Sequence, residues 1–353
     1  MNSAVLAIAK IAAARGVAVV GVEEGYDGLI ERRLRALTTA STRGVRVDPT
    51  LDRAGAVGGT VLGSARCARF REPDGRKAAA AALDGIDGLV VIGGDGSLTG
   101  AHVLAREHGV RVVGIPASID NDIGCTASAL GVDTALNTIV DACDRITDTA
   151  SSHRRAFVVE VMGRRSGYLA MASAVAAAAD GVLLPEHGRD EGTIVSALES
   201  LVASAFDGPH PKRRVLVIKA EGVEVPCTRL VRLVEERFTS RGQKVEVRAT
   251  VLGHLVRGGA PTYADRMLAS RLALAAVEAL DAPNGDVPEP FREGEMVAWL
   301  PTVRGGVETS DPYVRRFPLA EVLAETKAIL DGTSAATRWR LGLLARVEGA
   351  LPL

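Results

Sequence analysis

The residues able to do chemistry gather in four short strings. The first is Gly93-Gly94-Asp95-Gly96-Ser97. Glycines let a backbone close on a phosphate and accept positive φ. A helix starting behind them aims free N–H groups and its positive dipole end at that anion. Asp95 would repel a phosphate directly, so its presence calls for a bridging Mg²⁺, which takes one or two carboxylates together with phosphate oxygens. A plain strand-to-helix turn is the competing reading. The second string, Ser118-Ile119-Asp120-Asn121-Asp122, carries two loop carboxylates that can face one site. One can take a proton from an attacking hydroxyl and the other can hold metal-bound water; a pair of solvated acids around a turn asparagine is the alternative. The third, Met162-Gly163-Arg164-Arg165-Ser166-Gly167, offers guanidinium groups suited to a phosphate or to developing negative charge. The fourth, Gly253-His254-Leu255-Val256-Arg257-Gly258-Gly259, is basic and glycine-rich, and Arg155 and Arg248 flank nearby strands. Each arginine alone reads as a surface charge; four such strings, each after an apolar run, do not.

The runs that must hold these strings alternate between β-branched and helical patterns. Strands are predicted over residues 17–22, 88–92, 110–115, 157–162, 181–184, 215–219 and 245–252. Helices are predicted over 98–108, 129–149, from 168 onward, 228–240 and 263–280; in the longest, Leu136, Ile139, Val140, Cys143 and Ile146 share one face. Residues 281–295, rich in Pro, Gly and acid, read as a loop, and 319–330 and 337–347 look helical in a less readable tail. This alternation implies α/β architecture, with parallel sheets covered by helices on both faces. Ligands bind beyond the carboxyl ends of such strands, and consecutive strands are often neighbours. Asp95, Asp120 and Asp122 are therefore expected on one edge.

Bulk properties exclude several function classes. The 353 residues suffice for two domains. Lys plus Arg is 42 and Asp plus Glu is 43, so no global charge favours nucleic acid or an acidic surface, and an anionic substrate must be held by local arginines. Cys67, Cys125, Cys143 and Cys227 form no C-x-x-C pair, and the histidines show no zinc spacing, which points to free thiols. The start has no signal-peptide pattern, and the longest apolar run, 168–179, is too short to span a bilayer, so a cytoplasmic location is expected. A dinucleotide-binding dehydrogenase is disfavoured, since no G-x-G-x-x-G follows an opening strand.

Taken together, GGTVLGSAR (58–66), VVIGGDGSLTGA (90–101), GIPASIDNDI (114–123), VVEVMGR (158–164) and ATVLGHLVRGGAPTYADRMLASR (249–271) resemble the bacterial-type 6-phosphofructokinases, over residues 1 to about 280. The resemblance implies two Rossmann-like three-layer α/β/α domains with mostly parallel sheets. Residues 1–131 plus 255–300 would bind nucleotide, and 132–254 plus 301–353 would bind sugar phosphate. It implies phosphoryl transfer from ATP, with Mg²⁺, to the 1-hydroxyl of fructose 6-phosphate, a step of glycolysis. Asp120 matches the base, Asp95 the Mg²⁺-associated acid, and Asp122 supports them. Ser118 stands where the family usually has Thr. Arg164 and Arg66 match charge stabilisers. Arg66, Cys67, Gly94, Asp95, Gly96, Ser97 and Gly100 fall on the nucleotide side. Ser118, Asp120, Met162, Gly163, Arg164, Glu221, His254 and Arg257 fall on the sugar side. Arg155 and Arg248 match residues that reach the site from a neighbouring subunit, which implies a homotetramer or homodimer with shared sites and no nucleic-acid or membrane partner.

The resemblance also bears on donor and regulation. Pyrophosphate-using relatives carry GGDD or GGEG and a Lys after the proline; here Gly96 and Ala117 stand at those positions and point to ATP. Cys67 replaces an aromatic that often contacts adenine. A pyrophosphate-dependent enzyme is one alternative. Another is a non-catalytic sugar-phosphate-binding regulator, because the chain starts inside the family's opening Gly-rich turn, without the strand before it. The loss of that interior strand would leave unpaired backbone groups along its neighbour. First-helix effector arginines are replaced by Leu6 and Lys10, although Glu186 and Lys212-Arg213-Arg214 could form part of an effector pocket.

Overall fold

The computed structural model describes residues 1–42, 44–281, 288–300, 305–339 and 342. The chain opens with α1 (Asn2–Ala14), β1 (Val20–Val22), α2 (Gly25–Ile30), β2 (Leu34–Ala36), β3 (Thr38–Ser41) and β4 (Gly44–Val47). Next come α3 (Pro73–Ala81), β5 (Leu89–Gly93), α4 (Asp95–His108), β6 (Val112–Pro116) and α5 (Val132–His153). The middle holds β7 (Ala156–Val161), α6 (Tyr168–Ala176), β8 (Gly181–Leu183), α7 (Glu191–Asp207), β9 (Val215–Ala220), α8 (Cys227–Ser240) and β10 (Val247–Val251). Last are α9 (Tyr263–Asp281), β11 (Glu295–Trp299), β12 (Val307–Glu308), β13 (Val314–Pro318) and α10 (Leu319–Leu330).

These elements form two compact units, 1–118 with 123–133 and 259–327, and 119–122 with 134–258 and 328–353. The first contains a sheet of order β12-β13-β11-β6-β5. Its β5, β6 and β11 run parallel, whereas β13 is antiparallel to both β11 and β12. The compact units divide the chain differently from the sequence-based boundary. Residues 305–327 belong with the first unit because β13 hydrogen-bonds along the whole of β11, while 255–258 and 119–122 fall in the second. β6 is buried at every residue, since neighbours cover both its sides; β5 ends the sheet, and Leu89–Ile92 are only half-buried. The strand expected over 17–22 is limited to β1, which forms a separate antiparallel ribbon with β2.

The second unit holds an all-parallel sheet of order β10-β7-β9-β8. Ala156, Val158, Val215 and Val217 alternate onto one face and pack against Ile194, Leu198 and Val202 of α7 and Leu230, Val234 and Phe238 of α8. Each such large side chain contributes about 1.5–3 kcal/mol on burial. α7, which the sequence pattern does not announce, starts at Asp190, whose side chain accepts from Thr193 N at 2.9 Å. The helix expected over 337–347 lies largely outside the described residues. Among the described residues no helix is long and apolar enough to cross a membrane.

Candidate active site

In the first unit, the Gly-rich string folds into the junction of β5 and α4. Gly94 is the N-cap, and its carbonyl accepts from Ser97 N and Leu98 N. Asp95 and Gly96 occupy the exposed first turn, where backbone amides have no acceptor within the helix. A side-chain carbon added at Gly96 would meet nothing within 4 Å, whereas at Gly93 it would strike Ser97 Oγ at 2.5 Å. β5 and β6 end level, with Gly93 the register partner of Pro116 and Ala117 N donating to Gly93 O at 2.9 Å. A Cβ on Gly94 would lie 3.7 Å from Ser118 Cβ, so Ser118 borders the cradle.

Tyr26 braces this turn from below. Its hydroxyl donates to Ser97 O at 2.7 Å, and its ring stacks on Phe70 at 3.9 Å. The ring fills the space a side chain at Gly100 would need, with contact at 2.7 Å. Burial raises the Tyr26 pKa well above its ordinary value, keeping the hydroxyl a donor. Tyr26 is not among the residues expected from sequence; a glycine inside the α4 pattern is the available signal of close approach. Cys67 packs in the same cluster with its thiol 3.4 Å from Asp27 Oδ1, and Arg66 is exposed.

The second unit brings together most of the predicted sugar-side residues. Asp120, Asn121 and Asp122 are buried, at 5%, 2% and 7% exposure. Asn121 takes a left-handed φ of 50°, which folds this loop back on itself. Arg164 Nε stands 3.5 Å from Asp120 Oδ2. Arg164 itself has φ 51°, and two features hold it there. Glu221 Oε1 accepts from Gly163 N at 3.1 Å and from Arg164 N at 2.6 Å. Gly222 lies so close that a Cβ would stand 2.2 Å from Arg164 O. Arg257 Nε approaches Met162 Sδ at 3.3 Å, and His254 is exposed in the same turn. The Asp120 pKa is pushed up to about 6, first by burial and then by Asp122 and Glu221, against the lowering effect of Arg164 and Arg257.

Arg155 and Arg248 stand elsewhere. Arg155 precedes β7 and Arg164 follows it, so the strand separates them by roughly 20 Å. Both are held by Glu246: Arg155 Nε at 2.5 Å, and Arg248 in a close ion pair. Hydrogen bonding and charge from Arg155 lower the Glu246 pKa. The basic turn considered for an effector is partly committed inside the unit. Buried Asp180 takes Lys212 at 2.5 Å and Arg214 at 3.4 Å, while Glu186 accepts from Gly167 N.

Among the described residues no three His, Cys, Asp or Glu side chains form a metal cage. The Asp95 carboxylate, in the exposed first turn of α4, instead fits an ion that brings phosphate oxygens with it.

Comparison with known proteins gives a consistent picture. Residues 1–280 match the family model described as phosphofructokinase. The chain is 43% identical over 289 residues to an ATP-dependent 6-phosphofructokinase of Thermotoga neapolitana, covering 81% of this chain and 84% of that one. It is 44% identical over 285 residues to one of Macrococcus caseolyticus, covering 79% and 82%. Among solved structures, the phosphofructokinase from Saccharomyces cerevisiae superposes with a TM-score of 0.80 at 30% identity, over 97% of this chain but only 48% of the yeast chain.

Proposed function

Because the chain belongs to the phosphofructokinase family, we propose that it transfers the terminal phosphoryl group of ATP to the 1-hydroxyl of fructose 6-phosphate. The observation that carries this reading is the buried Asp120, a carboxylate with its pKa pushed up to about 6, beside the Arg164 guanidinium. At neutral pH such a group is ionised, yet more basic than an ordinary aspartate, as a base for a sugar hydroxyl should be.

Phosphoryl transfer depends mainly on positioning and on neutralising charge. Asp120 takes the proton from the 1-hydroxyl as the oxygen attacks. Arg164 offsets the negative charge that builds on the transferred group, and Ser118, at the edge of the cradle, offers it a hydroxyl. The first turn of α4 receives the donor phosphates. Asp95 would hold Mg²⁺, which supplies charge neutralisation across those phosphates when bound. Asp122 helps keep Asp120 basic. Met162, Gly163, Glu221, His254 and Arg257 hold the sugar phosphate. Arg155 and Arg248, at the far end of β7, serve the site of a second copy, so the working form is a homotetramer or homodimer.

ATP is favoured over pyrophosphate by the open space at Gly96, which leaves room for an α-phosphate, and by Ala117, which adds no cation. Formation of fructose 1,6-bisphosphate with either donor tests both statements. Product from pyrophosphate alone would overturn the donor assignment, and binding of the sugar phosphate without turnover would overturn catalysis.

A further inference from the structure

One charged pair inside the second unit has no part in the steps above. Lys219 is only 1% exposed and Glu160 is largely buried at 20%, and the Lys219 Nζ lies 3.0 Å from Glu160 Oε2. The same ammonium donates to Ala220 O at 3.2 Å, the last carbonyl of β9. Glu160 and Lys219 are direct register partners on β7 and β9. By alternation they extend the face of Ala156, Val158, Val215 and Val217, which is otherwise apolar. Replacing a buried ion pair by apolar residues of similar volume is often neutral or stabilising. Stability is therefore a poor reason for the pair to be there.

Its place in the sheet suggests a better one. One rung further on, Glu221 N donates to Val161 O at 2.9 Å, and the Glu221 carboxylate then takes the amides of Gly163 and Arg164. On the other side of β7, Leu252 N donates to Glu160 O at 3.0 Å, directly before the turn Gly253–Arg257. Glu160 thus sits where three strands end together. β7 leads to Arg164, β9 to Glu221, and β10 to His254 and Arg257.

From this geometry we infer that Lys219 and Glu160 are positioning residues for phosphoryl transfer, pinning the strand ends from which Arg164, Glu221 and Arg257 project. The inference rests on the reading that Asp120 and Arg164 carry the chemistry. Neither member of the pair touches substrate; the pair acts through Arg164, whose strained backbone needs a fixed neighbour.

The test is the double variant Glu160→Leu/Lys219→Met, which removes the charges and keeps the volume. It melts no lower than the parent, yet its kcat falls about tenfold or more, since small misplacements of a charged group are costly in rate. The KM for ATP stays as it was. A folded double variant with parental kcat overturns the inference, as does a loss confined to KM. Glu160→Gln, nearly the same shape, covers the case in which the double variant does not fold. It lowers kcat about threefold at unchanged KM for ATP, as expected when a charge-assisted bond becomes a neutral one, and an unchanged kcat there also overturns it. Asp120→Asn, assayed alongside, separates the two readings. Full turnover in that variant overturns the assignment of the base, whereas parental kcat in the pair variants overturns only the role of the pair.

Discussion

Arg164 and Asp120 form an ion pair of opposite exposure: the guanidinium is 63% exposed and the carboxylate 7%. The cation therefore faces solvent while the carboxylate is held in the protein. Burial wins over the cation in setting the Asp120 pKa, which is pushed up to about 6 and not below the usual aspartate range.

On the proposed role of Asp120, this balance sets the acid limb of the rate profile. With Asp120 acting ionised, kcat/KM falls about tenfold per pH unit below pH 6, because each unit removes that fraction of the base. Replacing Arg164 with Ala removes a lowering influence, so the limb moves to higher pH. Initial rates from pH 5 to 8.5 in both proteins check the direction.

Asp120→Asn keeps the shape and one acceptor oxygen but cannot accept the proton. Its kcat drops by about 10²–10⁴-fold, while the KM for fructose 6-phosphate changes little. A discontinuous assay of the bisphosphate product measures both.

The same carboxylate has a stability signature of opposite sign to an ordinary ion-paired acid. Between its ordinary value of 3.8 and about 6 the folded state binds more protons than the unfolded one, so stability falls as pH rises through that window. Asp120→Asn removes the penalty. It is expected to raise stability by on the order of 1–3 kcal/mol at pH 8, with the gain gone at pH 3. Urea melts at the two pH values decide it.

Gly222→Ala tests the clamp on Arg164. The added carbon lies 2.2 Å from Arg164 O, so the loop must move. The expected cost is about 1–3 kcal/mol of stability together with a fall in kcat. Glu221→Gln keeps an oxygen for the amides of Gly163 and Arg164 and is mild; Glu221→Ala leaves them unserved and is not. Melting curves and kcat for the three variants give the comparison.

Gly96→Asp tests donor choice without touching the fold. Open space at that position predicts an unchanged melting temperature. Repulsion between the new carboxylate and an α-phosphate lowers kcat/KM for ATP relative to pyrophosphate, and the ratio of the two is the readout.

Much of the fold and the site is legible in the amino-acid sequence, for definite reasons. β5 and β6 are apolar runs, β7 and β9 are apolar apart from Glu160 and Lys219, and the glycine, aspartate and arginine residues that follow them need special backbone or special charge. Lys219 is less visible, because a lysine at the end of a strand pattern looks like its exit into solvent; only the register with Glu160 reveals that it turns inward. α7 escapes notice although Asp190 caps it, since alanines and serines between Ile194, Leu198 and Val202 dilute its period. The mixed edge of the first sheet is hidden for another reason. β13 finds its partner by tertiary pairing with β11, which no local pattern announces.

The interleaving of the two units has a consequence for synthesis. β11 fills the place between β6 and β13, so a ribosome must deliver residues up to Pro318 before the first sheet has all its rungs, long after β5 and β6 have emerged. Neither unit is one continuous stretch of gene. Recombination cannot move either as a cassette, and a nascent chain stalled before β11 would hold an unfinished sheet for chaperones to shield.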